Sequence, residues 1–437
     1  MNDTSRQLSF GSEYDRLNHY VFRFPAKFHP PGASKLIELY SRPGDRVLDP
    51  FCGSGSLLVE CLKLGRNCVG TDIDPLSVFV SEAKTRRYDM QSLTNVCSKV
   101  SDITLSLREK DLHSYGPFTQ DIPQTELYRL LTAGHLESPP IPRLTHWFRH
   151  RCIAQLARLK ALLLSESPDE NVRKFLLLCF AAIIRNSSNA DPVPVSGLEV
   201  TRHMRYLESA GREIDPYTLL TASVKRTLSA TADWLAIVGT KQVLARVARA
   251  DARHLRAAAV GRIDSVITSP PYPNAVDYYR RHQLETYWLG LVRSEDERRR
   301  LAASYAGRDK VPAKDVRDTA NTMEARLAAQ WLNPFPDVRP ERVRSFTHYC
   351  CIMGDCLRQL SLILSPGSNV IIVIGDGKIR GEPIRTPDLI EALASPQYVL
   401  LDRMWYPLNN RYMSYERRNG ADIDQETVLV FQRSACP

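Results

Sequence analysis

The sequence is poor in signals for metal sites, disulfides and membrane segments. It contains 10 cysteines in 437 residues but no Cys-x-x-Cys pair, and Cys350, Cys351 and Cys356 lack companion histidines at zinc spacing. We therefore expect no bound metal and reduced, mostly buried thiols. The longest apolar run, residues 175–184, is too short to cross a bilayer. The polar first residues, Met1 to Thr4, contain no apolar signal core, so we expect a cytoplasmic protein.

Internal repeats and low-complexity tracts are also absent, which excludes a repeat architecture. The apolar content of 43% is enough for a large α/β core and a second lobe. Lys and Arg outnumber Asp and Glu by 58 to 49, and the resulting net charge of +9 favours a polyanionic partner. The arginines also cluster, as a phosphate-contacting surface requires, although a solvated helix face is the alternative for any single cluster. The clusters are Arg202 with Arg205, Arg280 with Arg281, residues 298–300, Arg342 with Arg344, and residues 417–418.

Residues 46–62 are typical of a short strand followed by a glycine-containing loop and a helix. Gly53 and Gly55 let the backbone approach a ligand closely, and Asp49 leaves a carboxylate at the strand tip. Leu58 stands where a dinucleotide fingerprint has its third glycine, and the Gly-Lys-Ser/Thr of a phosphate-binding P-loop is absent. A second strand, residues 67–75, ends in acids roughly 20 residues after the glycines, where a carboxylate can meet ribose hydroxyls. These features predict an adenosine-bearing cofactor.

The tetrapeptide Ser269-Pro270-Pro271-Tyr272 follows an apolar run, residues 264–268, that is typical of a buried strand. The paired prolines form a rigid turn, so the Pro270 carbonyl can face a cavity while Tyr272 offers a ring face. A carbonyl and a serine hydroxyl accept hydrogen bonds from an exocyclic amine, and the tyrosine ring can stack on a flipped base. The alternative is a proline-rich turn that ends a core strand.

Three segments of the chain resemble the S-adenosylmethionine-dependent DNA amino-methyltransferases, and within them the cytosine-N4-specific type. Residues 49–55 resemble the family's cofactor loop, residues 269–272 its catalytic tetrapeptide, and residues 24–30 the segment that flanks the methionine moiety. The resemblance covers the core strands and helices and not the long insertions. It implies a Rossmann-like methyltransferase fold of the α/β class, with a mostly parallel sheet, helices on both faces and a mainly helical insertion.

The resemblance also implies roles for individual residues. Asp49 would accept the methionyl ammonium group of S-adenosyl-L-methionine, Asp72 would hold the ribose, and Asp251 would accept from the adenine amine. A solvated acid in a basic loop is the alternative for Asp251. Ser269 and the Pro270 carbonyl would orient the target amine, and Tyr272 would stack on the base. The full cofactor site is predicted to comprise Phe28, His29, Asp49, Pro50, Phe51, Gly53, Gly55, Asp72, Ile73, Asp251 and Ala252, and the catalytic site Ser269, Pro270, Pro271 and Tyr272.

The chain reads as one catalytic domain with insertions. We expect an arm at residues 1–23, a cofactor-binding part at 24–88, a helical insertion at 89–245 and a base-binding part at 246–437 with a polar insertion at about 293–344. Either insertion is a candidate for target recognition, and a scaffold or dimer surface is the alternative. In the family class with this segment order the recognition region usually lies just before the tetrapeptide's strand, whereas here the large insertion also precedes Asp251.

These observations predict a DNA methyltransferase that flips a cytosine and transfers methyl from S-adenosyl-L-methionine to its N4 amine by direct displacement. No cysteine follows a proline as carbon-5 methylation requires, so no covalent enzyme–base intermediate is needed. Arg280, Arg281, Arg202 and Arg205 are the predicted DNA contacts. Expected partners are double-stranded DNA, a cognate restriction endonuclease in a restriction-modification or epigenetic role, and a second copy of the chain. Adenine-N6 or RNA guanine-N2 methylation, and a non-catalytic DNA-binding subunit, are the alternatives.

Overall fold

The structure is a computed structural model, and it describes residues 6–11, 16–25, 27–192, 198–273, 278–308, 311–312, 322–335, 338–379, 382–408 and 424–435. Apolar runs bounded by glycine, proline or aspartate form the strands. The strands are β1 (Arg6–Gln7), β2 (Arg46–Asp49), β3 (Asn67–Asp72), β4 (Ala245–Arg249), β5 (Ser265–Thr268), β6 (Asn369–Ile374), β7 (Gly377–Ile379), β8 (Glu382–Ile384), β9 (Tyr398–Pro407) and β10 (Gln425–Arg433).

Eight of these strands form one sheet, in the order β1-β9-β10-β6-β5-β2-β3-β4, and β7 pairs with β8 separately. The five strands from β6 to β4 are parallel, whereas β10 is antiparallel to both β6 and β9. The chain runs outward from β2 through β3 to β4 and then returns to β5, which pairs with the other side of β2. Ligands of such sheets bind beyond the carboxyl ends of the strands where the direction reverses. The fold therefore directs attention to the ends of β2 and β5.

Helices cover the sheet on both faces. They are α1 (Pro30–Tyr40), α2 (Ser56–Lys63), α3 (Pro75–Thr85), α4 (Met90–Tyr115), α5 (Gln124–Ala133), α6 (Leu144–Trp147), α7 (His150–Ser165), α8 (Glu170–Ile184), α9 (Arg202–Ser209), α10 (Pro216–Val238), α11 (Ala257–Val260), α12 (Tyr278–Arg281), α13 (Gln283–Trp288), α14 (Glu295–Ser304), α15 (Met323–Leu332), α16 (Pro340–Ile363) and α17 (Thr386–Ala394), with 3-10 turns at Leu17–Tyr20 and Ala252–His254. All described elements from α4 to α10 are helices.

Successive side chains of the central strands lie on opposite faces of the sheet, so the core consists of two layers. Val47 of β2 packs with α1, α2 and α10 on one face, while its neighbour Leu48 packs with α15, α16 and α17 on the other. Ile267 and Val266 of β5 divide in the same way. Strands buried on both faces carry near-continuous apolar runs, as these do. The α/β class and the mostly parallel sheet with helices on both faces are therefore as predicted.

A third apolar cluster holds α13 together with the helices α4, α5, α7, α8 and α10. Helix α13 follows the tetrapeptide along the chain, so this part of the chain packs against the helical region formed by α4 to α10. Nine cysteines are described; eight are buried, and none of the nine forms a disulfide, in agreement with the expectation of buried thiols. No helix within the described residues has the length and apolar character needed to cross a membrane.

Candidate functional site

β2 ends at Asp49, and the side chain of this residue is tied to the end of β5. Its Oδ1 atom accepts hydrogen bonds from Thr268 Oγ1 at 2.7 Å and from the Phe51 backbone N–H at 3.1 Å. The residue is only 2% exposed, and burial raises the pKa of its carboxyl group to about 7. Because Thr268 directly precedes Ser269, this bond holds the tetrapeptide beside the glycine loop.

Two side chains of helix α3 hold the glycine loop in place through hydrogen bonds to its carbonyl groups. Ser81 Oγ donates a hydrogen bond to the Gly53 carbonyl, and Lys84 Nζ donates to the Ser54 carbonyl, both at 2.7 Å. Gly55 has a φ of +73°, and a Cβ at this position would lie 2.8 Å from Ser81 Oγ. Glycine is therefore required where the loop passes over α3, for both backbone conformation and space.

β3 ends at Asp72, whose two carboxylate oxygens both accept hydrogen bonds from the backbone. Oδ2 accepts from the Gly53 N–H and Oδ1 from the Asp74 N–H, each at 2.9 Å. Burial, together with the charge of Asp74, raises the pKa of Asp72 to about 7. Asp74 itself caps α3 by accepting from the Leu76 N–H at 2.9 Å. Asp72 thus orders the loop, while Asp74 is the helix cap.

A cavity of about 710 Å³ lies beyond the carboxyl ends of these strands, at the reversal point of the sheet. The predicted residues that line it are Phe51, Gly53, Asp72, Ile73, Asp251, Ala252, Ser269 and Pro271. Carboxylates from two strand ends and apolar side chains thus face one space, as a nucleoside with hydroxyl donors and a flat ring requires.

A smaller cavity of about 310 Å³ adjoins the first, and its lining includes Lys27, Phe28 and Asp49. Burial lowers the pKa of Lys27 to about 8, and its ammonium group lies 3.6 Å from the centre of the Tyr20 ring. Four residues border both cavities, namely Phe24, Phe51, Gly53 and Ser269. Ser269 therefore lies where the two spaces meet.

Asp251 follows β4 and faces the larger cavity together with Arg253. Its carboxylate accepts from Arg253 Nη2 at 2.6 Å and from the Arg253 backbone N–H at 2.9 Å. Burial acts to raise the pKa of Asp251, but the hydrogen bonds from Arg253 outweigh burial and hold the pKa below its usual value. Arg253 Nε also donates to both carboxylate oxygens, at 3.0 and 3.1 Å, so Arg253 fixes the orientation of this carboxylate at the cavity.

Tyr272 is held by a carboxylate at the start of β10. Its hydroxyl donates to Glu426 Oε1 at 2.6 Å, and the Tyr406 hydroxyl donates to Glu426 Oε2. Burial raises the pKa of Glu426, whereas the two tyrosine hydroxyls oppose this rise. No local signal in the sequence connects Glu426 to the tetrapeptide, because 153 residues separate them along the chain and only the sheet brings them together.

The structure does not bring every predicted residue to these cavities. His29 precedes α1, and its ring lies 5.2 Å from the Phe10 ring and 6.3 Å from the Tyr406 ring. These ring contacts place His29 in an aromatic cluster and not in the lining of either cavity, and its role in the cofactor site stays a prediction. Pro50, Gly55 and Pro270 adjoin lining residues along the chain without bordering either cavity themselves.

The predicted DNA contacts differ in exposure. Arg280, Arg202 and Arg205 are exposed, the last two on α9. Arg281 is only 7% exposed, and its carbonyl accepts a hydrogen bond from Arg185 Nη1 at 2.7 Å. Packing against the helical region thus buries the Arg281 side chain, and its role as a phosphate contact stays a prediction. Residues 417–418 lie outside the described part of the chain.

Several lining residues are absent from the sequence-based prediction. They come from the polar insertion, from α16 and from the turn after β4, and they are Arg253, Ser304, Tyr305, Ala306, Ile352 and Cys356, together with Ser77 of α3 and Lys27. The Tyr305 hydroxyl faces the Asp74 carboxyl and helps to lower the pKa that burial raises. Lys27 lies within the segment that resembles the methionine-flanking region. The others have no local signal, because tertiary packing alone brings them to the cavity.

Comparison with known proteins assigns the amino-terminal part of the chain. Residues 6–81 match the family model for N6/N4 DNA methylases. This segment is similar to DNA methylases. The family predicted from the sequence is thereby confirmed for this segment, and the match implies S-adenosyl-L-methionine as the cofactor. The tetrapeptide lies outside the matched segment, so the cytosine-N4 type stays a prediction.

Curated relatives share limited portions of this chain. Type II methyltransferase M.MvaI of Kocuria varians is 30% identical over 193 residues, which are 43% of this chain and 38% of that protein. Type II methyltransferase M.MjaII of Methanocaldococcus jannaschii is 34% identical over 87 residues, 20% of this chain and 16% of that protein. The tRNA (guanine(10)-N2)-dimethyltransferase of Methanothermobacter thermautotrophicus is 33% identical over 85 residues, 19% of this chain and 25% of that protein. The chain thus spans less than two-fifths of each of these relatives.

Proposed function

We propose that this protein is a site-specific DNA methyltransferase that methylates the N4 amine of a flipped cytosine. The observation that carries the proposal is the position of Ser269, which borders both cavities at the reversal point of the sheet and is tied to Asp49 through Thr268. A group that must meet both a cofactor and a substrate belongs at such a junction.

The described residues fit the cofactor. S-adenosyl-L-methionine supplies an electrophilic methyl group when it is bound. The Asp72 and Asp251 carboxylates would hold the adenosine moiety in the larger cavity, and Asp49 in the smaller cavity would accept the ammonium group. Lys27 borders the same smaller cavity and would pair with the carboxylate end.

The tetrapeptide would position the base. The Ser269 hydroxyl and the Pro270 carbonyl would accept the two hydrogens of the amine, which leaves the nitrogen lone pair directed at the methyl group. The Tyr272 ring would stack on the flipped base. This division predicts that Ser269 acts on the transfer step itself, whereas Tyr272 acts on the fraction of bound DNA in which the flipped base is stacked and ready for transfer.

The first experiment identifies the base. DNA from a methylase-free host that expresses the chain is analysed by single-molecule sequencing, which reports both the modified base and its sequence context. We expect N4-methylcytosine in one recognition sequence. N6-methyladenine would assign the adenine type, and unmodified DNA would refute DNA methylation by the expressed chain.

The second experiment uses the recognition sequence so found. Ser269→Ala should lower the single-turnover rate by about 10²–10³-fold, the range for loss of one preorganised hydrogen-bonding group, with cofactor affinity nearly unchanged. Ser265→Ala, at the opposite end of the same buried strand, is the matched control and should keep the wild-type rate. A wild-type rate in Ser269→Ala would contradict the proposed role.

Guanine-N2 methylation of RNA is the second candidate. It is favoured by the tRNA (guanine(10)-N2)-dimethyltransferase, which matches a segment about as long as the M.MjaII match does. Methyl transfer from labelled cofactor to total tRNA, with DNA in a parallel reaction, distinguishes the two substrates. Label in tRNA alone would establish the RNA candidate.

The proposed DNA surface includes Arg280 beside the tetrapeptide and Arg202 with Arg205 on α9. Exposed guanidinium groups contact phosphates without reading sequence, so these residues would bind DNA at any site. Target recognition would fall to the helical insertion at 89–245 or the polar insertion at 293–344. A cognate endonuclease, a second copy of the chain and a cytoplasmic location belong to the same proposal.

A further inference from the structure

Glu426 links the tetrapeptide to the antiparallel half of the sheet. β10 runs antiparallel to β6, with Thr427 opposite Ile374, so the start of β10 lies at the carboxyl edge where the cavities open. Across the next strand pair, Glu426 lies directly opposite Tyr406 of β9. A carboxylate at this position faces the same edge as Ser269.

Both oxygens of this carboxylate are used, one by each tyrosine. Tyr272 Oη lies 2.6 Å from Oε1, and Tyr406 Oη donates to Oε2. Tyr406 is fully buried, packs 5.2 Å from the Phe10 ring, and contacts α1, where a Cβ at Gly32 would lie 3.5 Å from its ring. Tyr406 is thus immobilised, and it fixes the carboxylate that holds Tyr272.

We propose that Glu426 is a positioning residue that holds the Tyr272 ring in place for stacking on the target base. The inference rests on the proposed function of the tetrapeptide. The rigid Pro270-Pro271 turn fixes the backbone end of Tyr272, and Glu426 fixes the hydroxyl end, so the axis of the ring is held at two points. Packing of the ring against the apolar layer of α16 and α17 then sets which face is presented.

The two-point anchor reduces the conformational entropy that the Tyr272 ring loses each time a base binds. A ring held only at its backbone end would have to be ordered when the base flips in, and this ordering reduces productive binding. Charge-assisted hydrogen bonds of a carboxylate with a hydroxyl are stronger than neutral ones, so Glu426 is suited to this role. Loss of the anchor should slow transfer and leave the cofactor site intact, because neither Tyr272 nor Glu426 lines the cofactor cavities.

The test is a double-mutant cycle on the full chain with an oligonucleotide that contains the recognition sequence. Tyr272→Phe keeps the ring and removes the hydroxyl, while Glu426→Gln keeps the shape and removes the charge. We expect each to lower the single-turnover rate at saturating DNA by about 10- to 100-fold, and the double variant to be no slower than the slower single variant. The affinity for S-adenosyl-L-homocysteine should match that of the wild type.

Tyr398→Phe is the matched control. Tyr398 is a buried tyrosine of β9 whose hydroxyl donates to the Leu357 carbonyl at 2.9 Å, far along the strand from Tyr406. The Tyr398→Phe variant also loses one hydrogen bond of a buried tyrosine hydroxyl, so it should have lower thermal stability but the wild-type rate of methyl transfer. Should Glu426→Gln fail to fold, Tyr272→Phe against Tyr398→Phe decides alone.

A second readout follows the base itself. With 2-aminopurine at the target position, stacking on Tyr272 alters the fluorescence, so Tyr272→Phe and Glu426→Gln should both change the emission of the complex from the wild-type value and in the same direction. Wild-type rates in both single variants, or rate losses that multiply in the double variant, would overturn the inference while the proposed function stands. A wild-type protein that does not methylate DNA would overturn the proposed function instead.

Discussion

We predict that affinity for S-adenosyl-L-homocysteine, which carries the same ammonium group and ribose as the cofactor, rises with pH up to about 7. Burial raises the pKa of both Asp49 and Asp72 to about 7, whereas the ordinary value is 3.8. The Asp49 carboxyl must lose its proton before it can pair with an ammonium group. Both oxygens of Asp72 already accept backbone N–H groups, so a proton on this residue also removes an acceptor position.

The size of the effect follows from the titration. Each carboxyl that must ionise costs about 1.4 kcal/mol per pH unit below its pKa. Affinity at pH 6 should therefore be about tenfold weaker than the plateau if only Asp49 responds, and about 100-fold weaker if Asp72 responds as well. Isothermal titration calorimetry from pH 5.5 to 8.5 measures this slope, and buffers of different ionisation enthalpy report the protons released.

Asp49→Asn is the control variant. An asparagine oxygen can still accept from Thr268 and from the Phe51 N–H, so the loop should keep its place. We expect weaker binding at pH 8 and a shallower pH dependence than in the wild type. A dissociation constant that does not change from pH 5.5 to 8.5, or an identical slope in Asp49→Asn, would refute the reasoning.

The stability of the ligand-free protein should show the opposite trend. Since the folded-state pKa of Asp49 lies above its unfolded value, the native state holds the proton more tightly. The contribution of the protonated Asp49 carboxyl to the free energy of unfolding is therefore fully present below about pH 4 and is lost as the pH rises to about 7. The free energy of unfolding should fall more steeply over this window in the wild type than in Asp49→Asn, as urea titrations at each pH would measure.

Two further predictions test the DNA surface and the loop. DNA affinity should fall steeply with salt, and Arg280→Ala should reduce the slope of log K against log salt by about 1. Arg262→Ala, which lies before the opposite end of β5, should leave the slope unchanged, and equal slopes in all three proteins would count against Arg280. In urea titrations, Gly55→Ala should lower the free energy of unfolding by about 1–3 kcal/mol more than Gly65→Ala does. Both glycines have positive φ but only Gly55 faces Ser81, so equal losses would contradict the steric argument.

Local patterns in the sequence were enough to predict the parallel core and its cofactor loop. β2, β3, β5 and β6 are apolar runs that end in aspartate, glycine, serine or proline, and their burial on both faces follows from that composition. Asp49, Asp72 and Ser269 could be predicted to lie near one another because the carboxyl ends of parallel strands share one edge, and all three border the two cavities.

The tertiary structure alone decided which distant residues border the cavities together with the predicted ones. Tyr305, Ile352 and Cys356 reach the cavity, and Glu426 reaches Tyr272, through contacts between segments far apart in the chain that no local pattern encodes. The same packing buries Arg281 against the helical region. Local composition determines which segments become strands and turns, because propensity and periodicity act over a few residues. Side-chain partners across the sheet depend on strand order and register, which only the folded chain establishes.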